Sequence, residues 1–479
     1  MYRRGNGIYR IATFLRQNDW DVEVIDFAGY WSIEELKELA LQRIDSDTKF
    51  IGFSYLFITK PLEVINEFGE WLKTTYPDIK IIFGGPNIYR FKNSYTDYNV
   101  HGFGELALLE LLKYLFSNGP SPKFSLLSTA GKAISANNMY PSFPMKSLYI
   151  EYQKRDYIEP YEWLGVEFAR GCKFTCDFCN FPVLGVKGDY TRDAEDFEKQ
   201  MRHAYDNWGT KHYYVSDETF NDRTEKITKF ADVVERLDFD PFFTGFIRAD
   251  LLVSRPRDKE ELLRMKFLGQ FYGIETFHPI AGKSIGKGMN PDRLKQGIVD
   301  VKNYFENNGS TRFRGTISLI AGLPHETVES LYETKDFLYN NWQGQHFSMY
   351  PLEIPLSELD QPSKISQDPA KYGYEDVSND KQLEEKMGPL WAPKRTSCEQ
   401  LKIMIWRNEC MDIFEADKIS REVDMIKYDG KSNFKQGSFS LLRLGLPTDI
   451  DKLLDVPEGI NLQPPVDFIK NYIDKKLGR

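Results

Sequence analysis

Cysteine, long apolar runs and excess positive charge are all scarce in this chain of 479 residues. No stretch of about 18 apolar residues is present that could cross a bilayer as a helix. The start, Met1-Tyr2-Arg3-Arg4-Gly5-Asn6, is basic but has no apolar segment behind it, which argues against a secretory signal. With 62 Lys and Arg against 71 Asp and Glu, the net charge of −9 argues against a broad nucleic-acid-binding surface. Five cysteines are an odd number and mostly clustered, so a reducing cytoplasmic setting with metal chemistry is expected rather than a disulfide framework. What remains is ordinary: 41% hydrophobic and 28% charged residues, with length for roughly two to three domains and a large core.

The few cysteines are not scattered. Cys172, Cys176 and Cys179 fall in Gly171-Cys172-Lys173-Phe174-Thr175-Cys176-Asp177-Phe178-Cys179-Asn180, a C-x3-C-x2-C spacing. Three thiolates can hold three irons of a [4Fe–4S] cube and leave the fourth iron without a protein ligand. Zinc is the rival, but a structural zinc site needs four ligands and no close Cys or His follows Cys179. A redox pair at Cys176 and Cys179 would leave Cys172 unexplained. Gly282-Lys283-Ser284 ends like a phosphate-binding loop, but Phe277 stands where that loop requires its first glycine.

Along the chain, residues 1–116 alternate short β-rich runs with amphipathic helices. Ile8 to Gln17 has helical spacing, Asp21 to Phe27 reads as a strand, and Ser32 with Glu35 three residues on reads as a helix start. Phe50 to Leu56 and Ile79 to Phe83 are apolar runs of the kind found in buried parallel strands. Residues 117–160, rich in Pro, Ser, Gly and Asn, read as a linker. Residues 161–355 carry six further strand–helix units, predicting a partial (β/α)6 barrel with its site at the carboxyl strand ends. Residues 356–479 form a mostly helical extension, with a helix predicted over Cys398–Phe414 and Cys398 and Cys410 buried as small apolar residues. The fold class is therefore α/β: a Rossmann-like open parallel sheet, then a partial barrel. His278 and His346 are possible acid–base groups near strand ends.

Two resemblances follow. Residues 1–116 resemble the cobalamin-binding domain that precedes many radical enzymes: Ser54-Tyr55-Leu56 matches S-x-L, and Gly84-Gly85 matches the glycine pair beside the cofactor tail. The D-x-H-x-x-G piece is absent. Counting back places Tyr9 or a neighbour where the cobalt-ligating histidine would stand, and the domain's first strand is missing or very short. Cobalamin could then bind only without a protein ligand, or the domain merely packs. Residues 161–355 resemble the radical S-adenosylmethionine (SAM) superfamily through Cys172, Cys176, Cys179 and Phe178. By that resemblance SAM fills the open iron, and its reductive cleavage yields a 5′-deoxyadenosyl radical. Ser216-Asp217-Glu218 stands where members contact the methionine amino group, and Arg248 and Glu275 end successive strands. Ile320-Ala321-Gly322-Leu323-Pro324-His325-Glu326-Thr327 resembles a G-L-P-G-E-T signature, with His325 replacing glycine. The resemblance implies a cobalamin-type C-methyltransferase, or a cobalamin-independent enzyme for hydrogen abstraction with rearrangement or cyclisation. It also implies a small-molecule or peptide substrate and an external electron donor such as a flavodoxin or ferredoxin.

Overall fold

A computed structural model describes residues 4–54, 62–85, 93–124, 131–135, 149–184, 187–188, 190–308, 311–355, 363–377, 403–440, 449–454 and 466–479. The chain divides into two compact units. The first contains Met1–Pro160, Leu184–Gly209 and Pro465–Arg479; the second contains Tyr161–Val183 and Thr210–Pro464.

In the first unit, β1 (Phe50–Ser54), β2 (Lys80–Gly84), β3 (Tyr98–His101) and β4 (Lys132–Ser135) form a parallel sheet in chain order. Parallel neighbours need crossovers, which the helices Leu62–Thr75 and Glu105–Phe116 supply. Ile81, Ile82 and Phe83 are all buried because both faces of β2 are covered. Trp31, Leu36, Phe68, Leu72 and the Tyr472 face of the helix Val466–Leu477 belong to one core, and Leu15, Leu108, Leu111 and Leu112 to another. Ser32 and Glu35 form the expected reciprocal cap on the helix Ile33–Arg43. The helix read at Ile8–Gln17 spans Asn6–Arg16.

The segment Asp21–Phe27 is not a strand. Its backbone groups are satisfied by side chains in place of a neighbouring strand. Val22 O accepts from Arg16 Nη2 at 2.7 Å and Arg155 Nη2 at 3.1 Å, Val24 O accepts from Lys476 Nζ at 2.9 Å, and Asp26 N donates to Tyr472 Oη at 2.9 Å. The strand read at Phe50–Leu56 is described only to Ser54; Leu56 lies outside the described residues. The stretch 117–160 contributes β4, which pairs with β3.

In the second unit, β5 (Leu164–Val166), β6 (His212–Val215), β7 (Phe242–Ile247), β8 (Gly269–Glu275), β9 (Arg314–Ala321) and β10 (His346–Pro351) form one parallel six-stranded sheet. Its order, β10-β9-β8-β7-β6-β5, is that of a partial barrel whose helices cover the outside. Phe243 packs on Phe168 and Phe267, and Phe168 in turn on Phe230 of the helix Thr224–Val234. Alternation then puts Thr244, Phe246 and Arg248 on the barrel's inner face.

The C-terminal segments depart most from expectation. No helix covers residues 403–412; the helix begins at Ile413, where Asp412 Oδ1 accepts from Phe414 N and Glu415 N at 2.9 Å each. Met404, Ile405 and Trp406 are buried consecutively in an extended segment, with Met404 N donating to Ile354 O and Val377 N to Ile405 O, both at 2.8 Å. A helix could not bury three successive residues on one stripe. Cys410 is half-buried in the turn that precedes the helix, not within it, and Cys398 lies outside the described residues. Further on, Gly437 and Ser438 enter the barrel. Ser438 is fully buried with its Oγ 2.6 Å from Thr244 Oγ1. A Cβ at Gly437 would sit 2.9 Å from both His346 Nδ1 and Thr316 Oγ1, so only glycine fits there unaltered.

Candidate active site

The three clustered cysteines lie in the loop that follows β5, at the carboxyl end of the sheet. Gly171 precedes the first with φ +97°, a conformation that suits glycine. Cys172 Sγ lies 3.6 Å from Thr219 Oγ1, Arg248 Nη1 donates to Cys176 Sγ at 3.5 Å, and Phe181 N donates to Cys179 Sγ at 3.4 Å. Cys179 N donates to Cys176 O at 3.2 Å, closing the turn between the last two thiols. Burial pushes the Cys179 thiol up to about 11, and the nearby Cys176 and Cys172 sulfurs and Glu275 add to the shift. The Cys176 and Cys172 sulfurs thus both lie near Cys179. A cube cluster takes one thiolate per iron, so its ligands stand apart, unlike the ligands of a single ion. Among the described residues no trio of His, Cys, Asp or Glu converges on one metal position. Three thiols in one loop suit a [4Fe–4S] cluster.

A segment from the C-terminal part fastens this loop. Asp177 accepts from Lys364 Nζ at 2.5 Å and Tyr372 Oη at 2.8 Å, Lys364 Nζ also reaches Thr175 O at 3.0 Å, and Ile365 N donates to Asp177 O at 3.2 Å. From the other side Asp177 N donates to Ile285 O at 3.1 Å.

Arg248 directly follows β7, with its guanidinium 3.8 Å from the centroid of the Phe174 ring. Asp250 holds it through both oxygens, at 3.0 and 2.7 Å, a bidentate grip that fixes the plane of the fork. Asn221, fully buried, brackets the Arg248 backbone: its Oδ1 accepts from Arg248 N at 2.8 Å and its Nδ2 donates to Arg248 O at 3.0 Å. Glu275 ends β8 at a register shift, with φ +69° and a nearly buried side chain. Lys287 Nζ donates to its Oε1 at 3.2 Å and also to Gly273 O. A Cβ at Gly273 would meet Glu275 Oε1 at 2.7 Å, so the glycine makes room for the carboxylate. Lys287 Nζ also lies 5.8 Å from the ring of half-buried Phe178.

After β6 the polar trio splits. Ser216 is exposed on the inner face. Asp217 is buried, accepts from Phe168 N at 2.8 Å, and is pushed well above the usual carboxylate range by burial. Glu218 is half-buried and raised to about 7, chiefly by burial, with Glu167 adding to the shift. In the loop after β9, Glu326 is buried, accepts from Thr276 Oγ1 at 2.5 Å and Gly322 N at 2.9 Å, and is raised to about 7 by burial. His325 adopts φ +66°, which explains why the signature has glycine at that place.

Neither expected acid–base histidine suits that role. His278 caps a short helix, its Nδ1 accepting from Ala281 N at 3.2 Å. His346 stands at the amino end of β10, buried, and burial lowers it to about 3.

In the first unit, Ser54 and Gly84 are register partners at adjacent strand ends, followed by Gly85 at φ +132°. Gly84 also pairs with Val100 of β3, and Gly85 N donates to Val100 O at 3.2 Å. Tyr9 does not offer a ligand: it is fully buried in a helix, and its hydroxyl accepts from Arg4 Nη1 at 2.7 Å. Sequence reasoning missed Lys287, Asp250, Asn221 and Lys364. Asp250 and Lys287 had readable signals, an Asp two residues after a strand-end Arg and a Lys between Gly286 and Gly288; Lys364 had none.

Residues 166–338 match the Radical SAM superfamily. A protein of Methanocaldococcus jannaschii named as a methylthiotransferase is 24% identical over 208 residues, which span 40% of this chain and 43% of that relative. The radical SAM methyltransferase TsrM of Kitasatospora setae, with tryptophan substrate and a SAM analogue bound, superposes with a TM-score of 0.59 at 13% identity over 78% of this chain and 76% of that one. TsrM with cobalamin and a [4Fe–4S] cluster bound gives 0.60 at 13% identity, over 79% and 78%. The cobalamin-dependent SAM radical enzyme OxsB, with aqua-cobalamin and SAM bound, gives 0.52 at 16% identity over all of this chain and 64% of that one. These structural likenesses are of fold. Among the described residues no helix is long and apolar enough to cross a membrane. Family membership implies a [4Fe–4S] cluster and SAM, and the loop's three thiols suit that cluster. Match and motif make residues 166–338 the radical SAM domain of an enzyme whose first unit has a cobalamin-binding-like fold.

Proposed function

We propose that the enzyme is a cobalamin-type C-methyltransferase acting on a small molecule or peptide at an unactivated carbon. The observation that supports the radical part is the placing of Cys172, Cys176 and Cys179 in one loop at the carboxyl end of the second unit's sheet, with Arg248 Nη1 donating to Cys176 Sγ. Once cluster and SAM are bound, the chemistry supplied there is one-electron cleavage of the sulfonium to a 5′-deoxyadenosyl radical. The chain's own residues bind and orient. The three thiolates hold the cluster, Arg248 offsets their negative charge, and the Glu275–Lys287 pair presents a fixed carboxylate for the nucleoside. Glu218, with Ser216 and Asp217 around it, is the candidate for the methionine amino group, and Phe178 shields the loop. An external reductant, of flavodoxin or ferredoxin type, supplies the electron.

Ser54, Gly84 and Gly85 support a cobalamin tail beside the first unit's strand ends, and the cobalamin bound by TsrM and OxsB agrees with that reading. The burial of Tyr9 favours a second reading, a cobalamin-independent radical enzyme whose first unit only packs. Hydroxocobalamin titration followed by visible absorption separates the two. Methyl transfer from labelled SAM with retained cobalamin is expected. 5′-Deoxyadenosine without methyl transfer or retained cobalamin would leave only the second reading. Anaerobic reconstitution should give about four irons per chain, and alanine at Cys172, Cys176 or Cys179 should abolish them. An unchanged iron count in all three variants would sink both readings.

A further inference from the structure

Register places a second set of side chains on the barrel's inner face, one layer deeper than the strand ends. Phe246 of β7 pairs with Phe271 of β8, and Phe271 with Thr316 of β9. Phe439, brought in by the segment through Gly437 and Ser438, stacks on Phe246 at 5.3 Å and 28°, and meets Phe271 edge-on at 5.5 Å and 89°. Phe246 and Phe271 meet at 5.1 Å and 77°. Three rings in mutual contact normally mark a closed core. Here the set is open: Phe246 is 44% exposed although it sits mid-sheet, and Tyr350, farther along β10 on the same face, is 63% exposed.

The surroundings fix the chemistry. Thr316, Ser318, Ser348 and Tyr350 share the inner face through the registers Thr316↔His346, Ser318↔Ser348 and Ile320↔Tyr350, and all are uncharged. Burial holds His346 neutral as well. The charges that follow β7 and end β8 are engaged, Arg248 with Asp250 and Glu275 with Lys287. A charged group lowered to the rings would lose water without gaining a partner, whereas a flat apolar ring would cover aromatic faces that are now wet.

We infer that Phe246, Phe271 and Phe439 form the floor of the substrate pocket and that the substrate inserts a neutral aromatic ring onto it. Phe246 precedes Arg248 by two residues on one strand. Strand rise therefore sets the Phe246 backbone about 7 Å from that of Arg248, whose guanidinium donates to Cys176 Sγ. The inference rests on the radical SAM reading for what then happens to the ring, but not for its binding.

The test uses reconstituted enzyme with indole as the neutral aromatic probe, followed by isothermal titration and ligand-detected NMR. Cyclohexanol, benzoate and benzylamine serve as non-aromatic, anionic and cationic comparisons. Saturable indole binding is expected, at least tenfold tighter than for any comparison. F439A should weaken it at least tenfold, and F439L, which keeps apolar bulk without the ring and guards against misfolding, should weaken it severalfold. No saturable binding of indole, equal binding by wild type, F246A and F439L, or preference for a charged probe would overturn the inference. 5′-Deoxyadenosine formation and iron content, measured on the same samples, tell the readings apart. A protein that makes 5′-deoxyadenosine but ignores indole loses the aromatic floor alone; one that binds indole but holds no iron loses the radical reading alone.

Discussion

At the scale of single residues, Arg248 has the most to do. Its one guanidinium stacks on Phe174, grips Asp250 and donates to Cys176 Sγ. Hydrogen bonds and positive charge at cluster sulfurs favour the reduced, more negative state. R248M should therefore keep its iron but titrate at a more negative midpoint potential, read by electron paramagnetic resonance during reductive titration. An unchanged midpoint would mean that Arg248 only packs. The cysteines and the strand-end Arg248 and Glu275 were legible in the sequence because their placement depends on local spacing and on strand periodicity. The pairing of Glu275 with Lys287 was not, since it depends on a bulge at Gly273 and a loop held by Gly286 at φ +82°.

At the scale of elements, Gly322 in the loop after β9 shows how closely the C-terminal segment fits the barrel. Gly322 has φ +87°, and a Cβ there would approach Trp406 Cη2 to 2.3 Å. Trp406 cannot retreat easily: it is fully buried, and its Nε1 donates to Leu352 O at 2.8 Å, while Tyr374 Oη donates to Gly322 O at 2.7 Å. G322A should destabilise the second unit by about 3 kcal/mol, from overpacking together with left-handed strain. Urea denaturation checks this, and a loss below about 1 kcal/mol would show that Trp406 moves aside. The alternating strands and helices of the barrel could be read because each is a local pattern. Met404-Ile405-Trp406 misled because Leu401, Met404 and Ile405 keep helical spacing in the sequence, and only the partners at Ile354 and Val377 show an extended run. Asp21–Phe27 misled for a similar reason: its composition is that of a strand, but Arg16, Arg155, Lys476 and Tyr472 take its hydrogen bonds.

At the scale of the whole molecule, stability should depend on pH through buried groups of both signs. Burial lowers His101 and His212 to about 4 and His346 to about 3, from an ordinary 6.5. The unfolded chain binds these protons first, so the histidines' contribution is complete above pH 6.5 and is lost as pH falls. Glu326 is raised from 4.5 to about 7, so the folded state binds its proton more tightly. Its contribution is complete below pH 4.5 and is lost as pH rises toward 7. E326Q removes only the second effect. Relative to wild type it should gain about 3 kcal/mol between pH 4.5 and pH 8, measured by urea midpoints at both. A constant difference would place Glu326 near its ordinary value in the fold.

The segment through Gly437 and Ser438 has one more consequence, for the order in which the protein is made. Ser438 meets Thr244 across 194 positions of sequence, and in the first unit Tyr472 meets Asp26 across 446. As the chain leaves the ribosome, the cysteine loop emerges long before Ser438 closes its own barrel, and the first unit's Asp21–Phe27 segment waits for Tyr472 and Lys476. Neither unit is complete until its late segment has emerged. Until then, each leaves apolar core exposed, and a cluster delivered early would enter a barrel still open at its base.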